Sequence, residues 1–313
     1  MIGAFAISLA AGRYLVPLLA RLKMGQTERE EGVKAHLAKA GTPTMGGLIF
    51  LAAVLVIGLI TIPMQPGNIP ILWLTFGFGA IGFLDDYLKV VLKRSDGLIA
   101  WQKLLLQFAV TTVFALYMTK VAHISLDMLL PFTGDRFIHI GVLAVPLLYF
   151  AVIGTVNGTN FTDGLDGLAS SVTIVVALFF ALVSVLHLRM DDPLSFAMAG
   201  ALMGFLYYNS YPAKIFMGDT GSLALGGYVA AKAYMCQMPL FILIVGLIYL
   251  IEVVSVILQV GYFKKTGGKR LFKMAPIHHH YELCGWSETK IVTCFTILTA
   301  LLSVLAFSGF AGK

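Results

Sequence analysis

Asp85 and Asp86 stand side by side inside an otherwise apolar run, Gly82-Phe-Leu-Asp-Asp-Tyr-Leu-Lys89. Carboxylates in such a setting are costly unless they are paired or used. Near the C-terminal end of a helix the macrodipole disfavours them further. On a helix the two side chains point about 100° apart, so they should hold different roles. Lys89 lies four residues after Asp85, at pairing distance on a helix. A second cluster is the polar island Asn157-Gly-Thr-Asn-Phe-Thr-Asp-Gly-Leu-Asp-Gly167, read as a tight loop between two apolar runs. It offers Asn160, Asp163 and Asp166 to a ligand, and its glycines let backbone approach closely. A helix cap would need only one of Thr162 and Asp163. A third stretch, Asn209 to Ser222, carries Asp219 just before an apolar run, as an N-cap or as a hard-cation ligand. Lys39 and Lys214 belong to the same group of loops; the Lys39–Gly47 stretch reads by itself as a Pro/Gly turn entering the second span, and a functional reading places Lys39 and the Thr hydroxyls near phosphates. Carboxylates and lysines on one face suit a metal–pyrophosphate site. The Lys39–Gly47 stretch is not a phosphate loop of the G-x-x-x-x-G-K-[ST] type.

Two further features carry chemistry. Glu252 sits midway through a long apolar run, as a functional acid or as a packing partner of Ser255 or Gln259. Ala275-Pro-Ile-His-His-His-Tyr-Glu282 holds three consecutive histidines. Consecutive residues rarely ligate one tetrahedral ion together. The reading preferred for His278, His279 and His280 is therefore imidazoles contacting substrate oxygens.

The elements that must position these residues are membrane helices. Of the 313 residues 58% are hydrophobic and 12% charged, against roughly 25% charged in soluble domains. The apolar runs are continuous rather than alternating, which excludes a β-barrel and predicts an all-α polytopic protein. Ten spans are expected, near 2–20, 46–62, 70–92, 102–122, 138–156, 168–188, 194–210, 220–236, 239–262 and 290–311. The first is read as a span rather than a cleaved signal, since no basic region precedes it. Of the 22 Lys and Arg residues, sixteen fall in one set of loops; only Lys120, Arg136, Arg189 and Lys313 fall in the other. The positive-inside rule then puts both termini outside and the basic loops in the cytoplasm. The net charge of +6 follows from this bias and implies no nucleic-acid partner. Cys236, Cys284 and Cys294 form no disulfide framework. The chain reads as one integral-membrane domain over 1–313, its site built from loops 21–45, 85–103, 155–167, 209–222 and 262–290. The outer loop from Lys120 to Phe137 has the length for a small hairpin.

Five motifs in order resemble the MraY family, the phospho-N-acetylmuramoyl-pentapeptide-transferases of the polyprenyl-phosphate N-acetylhexosamine-1-phosphate transferase superfamily. They are Gly41-Thr-Pro-Thr-Met-Gly-Gly47, Leu84-Asp-Asp86, Asn157 to Leu168, Phe216-Met-Gly-Asp-Thr-Gly-Ser222 and Pro276-Ile-His-His-His-Tyr-Glu282. They run over nearly the whole chain, and the triple histidine followed by Glu282 separates this family from its sisters.

The resemblance implies a reaction in which undecaprenyl phosphate attacks the β-phosphate of UDP-MurNAc-pentapeptide. Lipid I and UMP are the products, Mg²⁺ is required, and the step belongs to peptidoglycan synthesis. It implies a bacterial cytoplasmic membrane protein with its active site on the cytoplasmic face, ten spans with the ninth broken or bent, and a homodimer. Asp219 becomes the metal ligand, and Asp85 the base or nucleophile with Asp86 supporting it. His278 joins the catalytic set, with His279 and His280 on the sugar side. Substrate-binding roles fall to Lys39, Thr44, Lys103, Asn160, Asp163, Asp166, Asn209, Phe216, Gly218 and Ser222. Trp101 departs from the pattern, standing where some members carry a basic residue near Lys103. Two other readings fit the residues. One is a sister transferase using UDP-GlcNAc or another UDP-amino-sugar, against which the histidine stretch argues. The other is an ion-coupled transporter with Asp85, Asp86 and Glu252 along an intramembrane path.

Overall fold

A computed structural model describes residues 1–22, 41–92 and 97–310. The chain is mostly helical. In order the helices are α1 (Ile2–Arg21), α2 (Gly47–Thr61), α3 (Asn68–Val90), α4 (Ala100–Leu116), α5 (Ala144–Thr162), α6 (Leu168–Leu182), α7 (Pro193–Asn209), α8 (Gly218–Met235), α9 (Ile242–Val245), α10 (Leu247–Lys265), α11 (Ile277–Leu283) and α12 (Glu288–Ser308). Apolar runs without charge become helices because each then satisfies its own backbone groups away from water. Where a cap is needed the sequence supplies one. Asp192 accepts from Ser195 N at 3.1 Å, with Pro193 opening α7, and Ser287 accepts from Lys290 N at 3.3 Å at the start of α12. Between α4 and α5, β1 (Met128–Leu129) pairs antiparallel with β2 (Phe137–Ile138), the small hairpin expected there; Met128 faces Ile138 and Leu129 faces Phe137.

Seven segments among the described residues are long and apolar enough to cross a membrane: Ile2–Arg21, Asn68–Val90, Ala100–Val121, Gly141–Thr162, Leu168–His187, Leu247–Lys265 and Glu288–Ser308. The three other expected spans form α2, α7 and α8, of 15, 17 and 18 residues. The composition of α8 has a structural reason. Every residue from Thr220 to Tyr234 is buried, and α2, α3, α5 and α6 surround the helix. It is walled by protein, so it carries Asp219, Lys232 and several glycines. Lipid-facing helices instead expose Leu59, Ile60, Leu105, Phe150 and Val304 on the outside.

α3 and α8 pack closely against each other. A Cβ on Gly82 of α3 would lie 2.0 Å from the carbonyl oxygen of Asp219. The missing side chain thus lets the two backbones meet where the carboxylates are. The ninth apolar run starts as the short α9, turns at Gly246 and continues as α10.

The polar island differs from its expected form. α5 continues through Asn157 and Asn160 to Thr162, so only Asp163 to Gly167 is non-helical. The reason is that the asparagine amides have partners on neighbouring helices and do not hold the chain in a turn. The Asn157 amide donates to Ile153 O at 2.8 Å and to the Gln107 side chain at 3.1 Å.

Candidate active site

The end of α3, the start of α8, the last turns of α5 and the first turn of α4 converge on one cluster. Asp85, Asp86 and Asp219 present carboxylate oxygens within 4.8 Å of one another. Asp85 and Asp86 are buried. One oxygen of Asp85 accepts from Leu98 N at 2.8 Å and the other pairs with Lys89, one helical turn away. Asp219 pairs with Lys103 at 2.8 Å and with Lys89 at 3.4 Å. Its other oxygen accepts from the Asn160 amide at 2.8 Å, and that amide also donates to Ser222 Oγ at 2.8 Å. Lys103 and Asn160 thus fix the rotamer of Asp219 from opposite sides.

Asp86 does something different. Its carboxylate accepts from Asp219 N at 3.2 Å, Thr220 N at 2.9 Å and Thr220 Oγ1 at 2.6 Å. It caps the N-terminus of α8 from another helix, where the dipole favours a negative charge. Asp219 sits inside the first turn of α8 and is not its cap, which frees its carboxylate for the cluster. Gly218 has φ +73°, and a Cβ there would meet Asp86 Oδ2 at 2.5 Å and Thr44 Oγ1 at 2.8 Å. Only glycine fits between the cap and the Gly41–Gly47 segment. That segment is tied down by Phe216 N donating to Pro43 O at 2.8 Å and Gly46 N donating to Phe216 O at 2.8 Å. Thr44 is buried beside it.

The donor set is all oxygen, with three carboxylates against two ammonium groups. Hard oxygen ligands gathered this closely fit a divalent cation of the Mg²⁺ type. Asp219 and Asp85 are the better-placed ligands, because each has an oxygen facing lysine ammonium groups, whereas both oxygens of Asp86 hold the N–H groups that start α8. Asp163 ends α5 beside this cluster. Burial first, then the charges of Asp219, Asp86 and Asp166, push its carboxyl well above the usual carboxylate range.

A family model described as glycosyl transferase family 4 matches residues 68–237. A signature of the phospho-N-acetylmuramoyl-pentapeptide-transferases matches residues 39–51. Relatives bearing the name phospho-N-acetylmuramoyl-pentapeptide-transferase align along nearly the whole chain. One from Acetivibrio thermocellus is 49% identical, covering 97% of this chain and 92% of its own length. One from Clostridium botulinum strain Eklund 17B is 50% identical, with 97% and 93% covered. One from Clostridioides difficile is 48% identical, with 96% and 93% covered. The chain belongs to the phospho-N-acetylmuramoyl-pentapeptide-transferase family. As a member of it, this chain is a transferase and a multi-pass bacterial membrane protein. The transporter and sister-donor readings are not favoured by that membership.

Against the residues this family resemblance singled out, the structure brings Asp85, Asp86, Lys103, Asn160, Gly218, Asp219 and Ser222 into one site, with Thr44 and Phe216 on its border. Lys39 lies outside the described residues. Asp166 is tied into the scaffold: its carboxylate accepts from Ala213 N at 2.9 Å, and its own N–H donates to Glu288. Asn209 uses both ends of its amide internally, accepting from Ser170 Oγ at 3.2 Å and donating to Ile215 O at 3.0 Å. Lys214 stands over the Tyr207 ring, 5.6 Å from its centroid. Trp101 is exposed on α4.

The three histidines do not act as one unit. His278 is buried and meets Glu252 at 3.0 Å; His279 bonds Glu282 at 2.7 Å; His280 accepts from Lys273 N at 3.1 Å. Successive helical residues of α11 point in different directions, which separates their partners. Sequence reasoning had not joined Glu252 to His278, nor placed Lys89 between two carboxylates. For Lys89 the signal was present in its spacing from Asp85. For Glu252 no local pattern pointed 26 residues ahead.

Proposed function

We propose that this chain transfers phospho-N-acetylmuramoyl-pentapeptide from UDP-MurNAc-pentapeptide to undecaprenyl phosphate, giving lipid I and UMP. The observation that carries this reading is Asp219 held between Lys103 and Asn160, facing Asp85 and Lys89. An oxygen of the lipid phosphate attacks the β-phosphorus of the donor. The bond from that phosphorus to the bridging oxygen breaks, and UMP leaves with the electron pair. Both reactants are anionic, so the barrier is largely charge repulsion, and catalysis is mostly positioning and neutralisation. Lys89 and Lys103 supply positive charge at the pyrophosphate. Asp85 takes the last proton of the lipid phosphate, a light demand because a phosphomonoester has a second pKa of about 6. Asp219, with Asp85, would hold Mg²⁺, which when bound adds charge neutralisation at the pyrophosphate oxygens.

The remaining residues take supporting roles in this reading. Asn160 sets Asp219, and Thr44, Phe216, Gly218 and Ser222 shape the floor of the donor site. Lys39, Asp163, Asp166 and Asn209 belong to the donor-binding loops. His278, His279 and His280 lie on the sugar side. The chain forms one membrane domain with ten spans and both termini outside. α2, α7 and α8 complete the seven long spans, the ninth is broken at Gly246, and the site opens to the cytoplasm. The assembly is a homodimer in the bacterial cytoplasmic membrane. α10, which exposes Ile257, Leu258 and Val260, forms a wall for the polyprenyl chain.

The test is UMP release by purified protein in detergent with undecaprenyl phosphate, UDP-MurNAc-pentapeptide and Mg²⁺. Release should require lipid and metal and disappear in Asp219→Ala. Release with UDP-GlcNAc alone as donor would overturn the assignment.

A further inference from the structure

Glu252 and His278 form an ion-pair-capable contact in the interior of the protein. The carboxylate of Glu252 in α10 is 3.0 Å from Nδ1 of His278 in α11, and the side chains are 0% and 1% exposed. The nearby polar groups have other partners: Ser255 Oγ donates to the Glu252 carbonyl at 2.7 Å, and the Tyr249 hydroxyl bonds Thr173 at 2.8 Å. Two atoms of the pair remain without a hydrogen-bond partner, Glu252 Oε1 and His278 Nε2. An unsatisfied buried polar atom is destabilising. Replacing a buried pair by apolar residues is often neutral or stabilising. Stability alone therefore does not account for this pair.

The free edge of the imidazole has a definite neighbour. A Cβ on Gly164 would lie 2.2 Å from His278 Nε2, so glycine there keeps room for the ring against the Asp163–Gly167 loop. That loop continues directly from α5, whose Asn160 holds Asp219. Nε2 is thus a buried, unpartnered nitrogen aimed at the loop that borders the carboxylate cluster.

We propose that Glu252 is a positioning residue for His278. By accepting the Nδ1 proton it fixes the tautomer and the ring angle, so that Nε2 keeps its lone pair towards Gly164 and holds the Asp163–Gly167 loop in the form that receives the nucleotide-sugar donor. The role has the logic of a carboxylate that orients a working histidine, and it rests on the transferase reading. Glu252→Gln keeps the shape but presents an amide that can donate to Nδ1 and move the proton to Nε2.

The experiment measures UMP release from wild type, Glu252→Gln, His278→Asn and the double variant, with melting temperatures alongside. Glu252→Gln should lower kcat/KM for the donor by about 10-fold or more, with KM for polyprenyl phosphate and Tm unchanged. His278→Asn retains a donor to Glu252 but lacks Nε2, and should be equally folded and slow. The double variant should be no slower than His278→Asn, because the carboxylate acts only through the ring. Full donor kcat/KM in Glu252→Gln overturns the proposal, as do losses that multiply in the double variant. If Glu252→Gln melts early, His278→Asn decides, since full activity there would show that Nε2 is not used. Wild-type protein that releases no UMP would overturn the transferase reading itself, and this role with it. An active wild type with an unaffected Glu252→Gln would overturn the role alone.

Discussion

Thr220 donates to Asp86 twice, through its backbone N–H at 2.9 Å and its hydroxyl at 2.6 Å. The carboxylate of one helix thereby caps another whose Thr220 lies 134 residues later in the chain. The pair of adjacent aspartates divides accordingly. Asp85 faces Lys89 and the Asp219 carboxylate, and Asp86 fixes where α8 starts. Asp86→Ala should destabilise the protein by about 1–3 kcal/mol, because it strands buried donors at a helix N-terminus. Asp85→Asn should leave Tm close to wild type and slow UMP release. Thermal melts set beside rates separate the two; equal melting losses in both variants would refute the division.

The charge balance around Asp219 predicts a metal requirement with a particular sensitivity. EDTA should abolish UMP release and added Mg²⁺ should restore it. Lys103→Met should weaken donor binding and cut the rate by roughly 10-fold or more, since it removes a fixed cation from a charged transition state. Asn160→Ala frees the second oxygen of Asp219 and should raise the Mg²⁺ concentration giving half-maximal rate. A Mg²⁺ response in Asn160→Ala identical to wild type would count against its positioning of Asp219.

Two glycines of α3 face α8 with different clearances. A Cβ at Gly82 would meet the Asp219 carbonyl at 2.0 Å, whereas one at Gly79 would meet the Ala224 methyl at 3.3 Å. Gly82→Ala must push the helices apart at the carboxylate cluster and should lose most activity and several degrees of Tm. Gly79→Ala asks only for a small shift and should keep most of both. Comparable effects of the two variants, by rate and by melt, would argue against close packing of α3 on α8.

Asp163 gives a pH-dependent stability in metal-free protein. Its carboxyl is pushed up by burial and by three neighbouring carboxylates, so folding favours the protonated form. The unfolded chain ionises first, and the contribution is lost as pH rises from the ordinary carboxylate range to the raised folded value. Asp163→Asn should therefore match wild type in Tm near pH 4 and exceed it increasingly towards neutral pH, in EDTA. Melts across that range check this; a difference that is flat with pH would remove the buried charge as its cause.

Much of this protein was legible without coordinates. Continuous apolar runs, the loop bias of Lys and Arg, and the order of the polar motifs are properties of composition and spacing. They lead to helices, to a membrane and to a set of carboxylates and lysines gathered on one face. Lys89 as a partner of Asp85 followed from one helical turn of separation. What depended on the tertiary structure was which acid does what. Asp86 caps α8 because Gly82 and Gly218 let two backbones touch, and no local pattern encodes that contact. Asp166 and Asn209, polar residues of promising stretches, bond to the Ala213 N–H, the Ile215 carbonyl and the Ser170 hydroxyl of the scaffold. The three histidines are neighbours in sequence yet take three partners, because a helix turns each side chain by about 100°. Glu252 meets His278 only once α11 folds back on α10. Local spacing sets secondary structure and the membrane environment, whereas the partner of a buried charge is set by distances between chain-remote atoms, which only packing determines.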